Sequence, residues 1–266
     1  MVAIKLDGER VSLELKSALK QRISKLKEAS ITPGLGTILV GDDGPSKNYI
    51  AMKHRDCKEL GMHSEEINLP ATTTQEEIIE AIETFNHDTQ IHAFIIQYPF
   101  PGDLDYEAAL LRVLPEKDAD GLHPVNLGKL VQGIPAPLAC TPAGIQYLLE
   151  QYDVPIKGKH VVIVGRGLTI GRPLANLLSL KRENANATVT VAHTGTEDIG
   201  IHTKQADILI AAAGSPHMIK PDMVKPGSAV VAAGVSFQGK KLLSDVADEV
   251  DQVAGWLSPR IGGVGP

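Results

Sequence analysis

The chain has 266 residues, 43% of them hydrophobic and 22% charged, the make-up of an ordinary soluble globular protein with room for two domains of typical size. Its 26 basic against 32 acidic side chains leave a formal charge of -6, which argues against a nucleic-acid binder relying on a broad basic face. Two cysteines, Cys57 and Cys140, stand far apart and give no disulfide framework; charges interrupt any signal-peptide core near the N-terminus, and no apolar run approaches the roughly 20 residues that span a bilayer, so a cytoplasmic protein without membrane or nucleic-acid partners is expected.

Residues 9 to 28 carry apolar side chains at helical spacing: Val11, Leu13, Leu15, Leu19, Ile23 and Leu26. Gly36–Val40 reads as a strand ended by Gly41-Asp42-Asp43-Gly44-Pro45, and Ser46 is placed to cap a helix running to about Leu60, where Gly61 stops it. A short strand near Glu66–Leu69, a helix over 75–86, a strongly apolar strand Ala93–Ile96 and a helix over Leu104–Leu114 follow. Such alternation predicts a parallel sheet covered on both faces. A proline-rich joint, Gly133–Pro137, then leads to Thr141-Pro142-Ala143-Gly144 and a helix to about Tyr152. A second series begins at Val161, with strands near 188–193, 207–211 and 228–232. The fold class expected is α/β in two domains, residues 1–140 and 141–266, the second a Rossmann-type domain with a parallel sheet.

The most informative stretch lies in the second half. The apolar run His160–Val164 breaks into Gly165-Arg166-Gly167-Leu168-Thr169-Ile170-Gly171 and then enters a helix-like segment from Leu174. A strand, a glycine-rich turn and a helix start present free backbone N–H groups and a positive helix end to a phosphate, and glycine lets the backbone come close. The spacing is G-x-G-x-x-x-G, one residue longer than the usual dinucleotide fingerprint.

The first half carries a second constellation. Tyr49 and Lys53 are four apart on the predicted helix and share one face, where a phenol and an amine can hold a flat ligand and move protons; a lysine stem lying past an aromatic on a surface helix has the same spacing. Gln97-Tyr98-Pro99-Phe100-Pro101 follows the apolar strand, putting Gln97 at the strand's C-terminal edge, where α/β sheets bind ligands. Pro115-Glu116-Lys117-Asp118-Ala119-Asp120-Gly121 presents carboxylates in a turn.

Together these pieces resemble the bifunctional methylenetetrahydrofolate dehydrogenase/methenyltetrahydrofolate cyclohydrolase family. The matching segments are Val40–Asp43 with Ser46–Lys53, Gln97–Pro101, Pro115–Gly121, Cys140–Gly144, Gly165–Pro173, Ala213-Gly214-x-Pro216 and Gly262-Gly263-Val264-Gly265-Pro266, in family order over nearly the whole chain. The resemblance implies a first domain that binds folate and a second that binds NADP, with a cleft holding folate on one side and nicotinamide on the other. It implies Lys53 as the catalytic acid/base, Tyr49 stacked on the folate, Gln97 holding the lysine and Asp120 accepting hydrogen bonds from the pterin ring, with Gly262 and Pro266 also on the substrate. Cofactor contacts would come from Gly165, Arg166, Gly167, Thr169, Gly171, Thr194, Gly214 and Val235. Hydride would pass from methylenetetrahydrofolate to the nicotinamide, and water would open the methenyl product to 10-formyltetrahydrofolate, with no metal. The family also implies a homodimer formed through the nucleotide domain, to which the strand Ala187–Val191 could contribute.

The residues themselves favour NADP over NAD. The end of the second strand of the nucleotide series reads Val191-Ala192-His193-Thr194-Gly195-Thr196, without a carboxylate until Glu197, whereas NAD sites usually place an acid there. Arg166 lies inside the first turn, where a guanidinium can make forked bonds to a phosphate. The chain departs from the family pattern at Gly167, Tyr98, Phe100 and Ala233, and relatives usually continue past the position of Pro266 into a terminal helix that packs back on the first domain. Two other readings stand beside this one: a nicotinamide dehydrogenase for another small substrate, and a non-catalytic folate- or NADP-binding sensor that would be expected to have lost Lys53.

Overall fold

A computed structural model describes residues 2–239 and 241–266. The elements of the first half are β1 (Ile4–Lys5), α1 (Gly8–Glu28), β2 (Gly34–Val40), α2 (Gly44–Leu60), β3 (His63–Leu69), α3 (Gln75–His87), β4 (Ala93–Ile96), α4 (Tyr106–Leu110) and α5 (Pro124–Gln132). The second half continues with α6 (Cys140–Gln151), β5 (His160–Val164), α7 (Gly171–Ser179), β6 (Thr188–Ala192), α8 (Ile199–Thr203), β7 (Ile208–Ala211) and β8 (Ala229–Ala232). It ends with β9 (Val235–Gln238), β10 (Lys241–Ser244) and β11 (Trp256–Leu257). Among the described residues no helix is long and apolar enough to cross a membrane.

These elements form two compact units: one of Glu14–Lys129 with Pro135–Leu138, the other of the residues up to Leu13 with Leu130–Ile134 and Ala139–Pro266. The start of the chain therefore groups with the second half, where the sequence division places it with the first. The cause is a long-range pairing: Ile4 and Lys5 lie in parallel register with Trp256 and Leu257, and the Asp7 N–H donates to the Tyr152 hydroxyl at 2.8 Å. A two-residue strand carries no periodicity to reveal such a partner.

In the N-terminal unit the sheet order is β3-β2-β4, all parallel, with β2 in the middle. Ile38, Val40, Phe94 and Ile96 pack with Ile78, Ile82 and Phe85 of α3 into one buried cluster. Gly36 makes this possible, because a Cβ there would stand 2.8 Å from the Phe85 ring. Thr74 and Glu77 close a capping box at the start of α3, satisfying two of its free N–H groups. The helix expected over Leu104–Leu114 is only the short α4, because the Asn86 side chain donates to the Arg112 carbonyl and accepts the Leu114 N–H, drawing that backbone out of a helical ladder. The cap of α2 is Asp43, not Ser46: the Asp43 carboxylate accepts the Ser46 N–H at 2.9 Å and the Ser46 hydroxyl at 2.7 Å, with Pro45 in the first turn. Gly61 ends α2 in the left-handed region at φ 73°.

The C-terminal unit holds a six-stranded parallel sheet in the order β1-β11-β8-β7-β5-β6, and β9 with β10 forms a separate antiparallel hairpin. Val162, Val164, Leu209, Ala211 and Val230 are buried within it, as strands covered on both faces require. From β5 the chain moves to β6 on one side and then returns to β7 on the other, so the order reverses at the carboxyl end of β5. The smaller sheet does the same around β2, flanked by β3 and β4. Ligands of open α/β sheets bind at such reversals.

Candidate active site

The reversal in the N-terminal unit places side chains from two strand ends together. β2 passes through Gly41, at φ 83°, into α2, which carries Tyr49 and Lys53 on one face; the next strand of the sheet, β4, ends immediately before Gln97. Lys53 Nζ donates to Gln97 Oε1 at 3.4 Å and lies 5.9 Å from the centre of the Tyr49 ring. Gln97 in turn donates from Nε2 to the Tyr98 carbonyl at 2.8 Å, which fixes its amide with oxygen toward the lysine. The Tyr49 ring is 57% exposed and free to be covered by a flat partner.

Asp120 completes the cluster. It sits half-buried near Lys53, and burial pushes its carboxyl up to about 6; the Lys53 charge opposes the rise and the Asp118 charge adds to it. The turn that holds Asp120 is built on Asp118, which is 3% exposed. The Asp118 carboxylate accepts the Gly121 N–H at 3.0 Å, the His123 N–H at 2.8 Å and the Asn126 amide at 2.9 Å. Phe94 of β4 ties the same turn to the sheet by accepting the Ala119 N–H. Asp118 is thus spent on holding the turn, while Asp120 is the carboxylate that lies close to Lys53.

Sequence reasoning missed Tyr106. Its ring stands edge-on to Tyr98 at 5.2 Å and to Phe100 at 5.3 Å, and its phenol is raised above the ordinary tyrosine range by burial, then by the negative charges of Asp120 and Asp118. Two of the four family departures, Tyr98 and Phe100, are the rings it packs against. An aromatic at the start of a short helix is no signal by itself.

At the reversal in the C-terminal unit, Gly165 follows β5 at φ 129°, and a Cβ there would lie 2.1 Å from the Ala212 carbonyl oxygen. A Cβ on Gly171 would lie 2.2 Å from the Gly165 carbonyl oxygen, so the strand and α7 approach as closely as they do only because both positions are bare. Gly167, by contrast, has open space around it. No side chain caps α7 at Ile170; instead the Arg172 N–H donates to the Gly167 carbonyl at 3.1 Å and the Leu174 N–H to the Ile170 carbonyl at 2.9 Å, so the turn is closed by its own backbone and brings the positive helix end to the position a phosphate would take. Arg166 and Thr169 are exposed on this turn and Thr194 on the turn after β6. Arg166 Nη1 reaches within 3.4 Å of His193 Nε2. Gly214 is pinned by its N–H to the buried carboxylate of Asp245 at 2.9 Å, alongside the Ala213 N–H at 2.7 Å. Asp245, invisible to motif reasoning, thereby shapes the Ala213–Gly214 loop. Val235 opens β9 and is 42% exposed. Near the chain end the Gly262 carbonyl accepts the Gly8 N–H at 2.8 Å, and Pro266 is exposed.

The chain matches two family profiles, "Tetrahydrofolate dehydrogenase/cyclohydrolase, catalytic domain" over residues 6–120 and "Tetrahydrofolate dehydrogenase/cyclohydrolase, NAD(P)-binding domain" over residues 139–266. It is 52% identical to the bifunctional protein FolD of Syntrophotalea carbinolica over 266 residues, all of this chain and 92% of that protein. The crystal structure of the bifunctional enzyme FolD from Campylobacter jejuni superposes with a TM-score of 0.95 at 38% identity, covering 99% of this chain and 93% of that one. The FolD structure from Trypanosoma brucei, complexed with NADP cofactor and inhibitor, gives 0.93 at 34% identity, over 100% and 93% of the two chains.

Proposed function

The chain belongs to the tetrahydrofolate dehydrogenase/cyclohydrolase family, and from that premise we propose how its residues divide the work of oxidising 5,10-methylenetetrahydrofolate with NADP and hydrolysing the methenyl product to 10-formyltetrahydrofolate. The observation that carries this reading is the Lys53–Gln97 pair at the reversal of the small sheet, with Tyr49 and Asp120 beside it.

Tyr49 covers one face of the bound pterin, and Asp120 accepts from its amino and ring N–H groups, a charge-assisted pairing that orients the ring. When bound, NADP supplies the hydride acceptor. Gly167, Thr169 and Gly171 would hold its phosphates on the backbone of the turn before α7, while Gly165, whose own N–H donates to the Ala192 carbonyl at 2.8 Å, would let the chain come close to them; Arg166 and Thr194 would face its ribose phosphate, and Gly214 and Val235 would line the nicotinamide side. In the hydrolysis, a proton leaves the attacking water and a proton must reach the ring nitrogen as the C–N bond breaks. Lys53 Nζ takes the first as the amine and returns one as the ammonium. The Gln97 amide keeps Nζ where both transfers can reach it. Gly262 and Pro266 contribute to the substrate side.

A sensor that only binds has no use for a lysine held by a dedicated amide, so the geometry does not favour that reading. The protein acts in the cytoplasm in one-carbon metabolism, as a homodimer formed through the C-terminal unit; sedimentation showing a monomer at micromolar concentration would overturn the dimer. For the activity, methylenetetrahydrofolate is mixed with the purified protein and either NADP or NAD, and the absorbance of reduced nicotinamide and of the methenyl product is followed. Turnover with NADP followed by decay of the methenyl band supports both reactions; no turnover with either cofactor would sink the reading.

A further inference from the structure

The turn after β6 holds an unresolved conflict between hydrogen-bond donors. The His193 ring is folded over its own turn: its Nδ1 accepts the Gly195 N–H at 3.0 Å, while the His193 N–H donates to the Thr196 hydroxyl at 2.9 Å. A backbone N–H can only donate, so Nδ1 carries the lone pair and the proton of the neutral ring resides on Nε2. That Nε2–H faces Arg166 Nη1 at 3.4 Å, and a guanidinium has donors and no acceptor. Two N–H groups therefore point at one another across a gap that neither can close. The opposite tautomer would mend the longer contact by setting Nδ1–H against the Gly195 N–H at 3.0 Å, a worse clash.

An anion placed between the two side chains accepts from both. Arg166 lies on the turn after β5 and His193 on the turn after the neighbouring strand β6, in register with it through Val164 and Ala192. Asp198, the second of the two acids that follow in the chain, is engaged in capping α8 through the Gly200 N–H at 2.8 Å, and no carboxylate stands at the strand end itself, where NAD sites usually place one. We infer that His193 is a further specificity-determining residue, whose neutral Nε2–H joins the Arg166 guanidinium in holding the ribose phosphate that distinguishes NADP from NAD. The inference rests on the NADP reading above and adds a second side chain, held in its donating tautomer by Gly195.

Two measurements that need no turnover test it: calorimetric binding of 2',5'-ADP and of 5'-AMP, and nitrogen-15 imidazole spectra of the labelled protein above the ordinary titration range of imidazole. The spectra should show His193 as the Nε2–H tautomer, with the Nε2 signal shifting on addition of 2',5'-ADP and not of 5'-AMP. His193→Ala should weaken 2',5'-ADP roughly tenfold, the loss of one hydrogen bond to a charged group at an exposed site, with 5'-AMP unchanged as the control for folding. His193→Gln, which keeps an amide donor at similar reach, should restore most of the loss. An Nδ1–H tautomer, or an alanine variant that binds 2',5'-ADP as well as the wild type does, overturns the role of His193. A wild-type protein that binds the two nucleotides equally overturns the NADP reading itself.

Discussion

Lys53 Nζ and Gln97 Oε1 meet at 3.4 Å although 44 residues separate them in the chain. Adjacent parallel strands bring them there: Ile38 of β2 is in register with Ile96 of β4, Gln97 follows Ile96 directly, and α2 returns from the end of β2 over the same edge. The contact is long for a strong hydrogen bond, and it suits a lysine that must be held yet released to exchange protons.

Replacing Lys53 with methionine keeps the apolar stem and removes the proton carrier. Cyclohydrolase activity should fall by roughly 10²- to 10⁴-fold, the value of general acid–base catalysis. Dehydrogenation transfers a hydride and should suffer less, through misplacement of the folate. NADP binding should be unchanged, because the glycine-rich turn belongs to the other unit. Both activities and the NADP dissociation constant are measured on the purified variant; full cyclohydrolase activity would remove Lys53 from the chemistry.

Asp120 should give the protein a pH signature. Its carboxyl is raised to about 6 by burial, so the folded protein holds a proton that the unfolded chain releases near 4. Stability therefore falls as pH rises from about 4 to 6, and the cost is fully present above 6. Asp120→Asn should be the more stable protein at pH 7, by on the order of 2 kcal/mol after solvent screening, and the advantage should vanish below about pH 4. Thermal melts of both proteins across that range check this. In the wild type, folate affinity should weaken below pH 6, where protonation removes the acceptor.

Asp118→Ala leaves the Gly121 N–H, the His123 N–H and the Asn126 amide without their acceptor in a buried turn. A loss of about 3 kcal/mol or more is expected, with weaker folate binding because Asp120 rides on that turn. Denaturant titration reads the first effect and ligand titration the second. A near-neutral variant would show that the turn is held by Phe94 and its neighbours instead.

The three glycines of the nucleotide turn should behave differently. Gly165→Ala and Gly171→Ala each force a Cβ to about 2 Å from a backbone carbonyl oxygen, and should lower Tm and abolish NADP binding. Gly167→Ser meets open space and should leave Tm unchanged, with NADP held as well or more tightly. Equal behaviour at all three positions would contradict the cradle described above.

The sequence by itself determined what depends on neighbours in the chain. Helical spacing located α1, the glycine stop at Gly61 bounded α2, apolar runs located β2, β4 and β5, and the glycine-rich turn stood where β5 meets α7 because its chemistry is written in consecutive residues. Tyr49 and Lys53 could be placed together because a helix puts positions four apart on one face. The tertiary structure decided everything that needs a distant partner. That Ile4 and Lys5 pair with Trp256 and Leu257, that Asp118 holds a turn while Asp120 faces Lys53, and that His193 Nε2 confronts Arg166 are all set by strand order and buried hydrogen bonds. A carboxylate's role follows from which N–H groups surround it, and two carboxylates in one short turn differ only in what the fold brings to each.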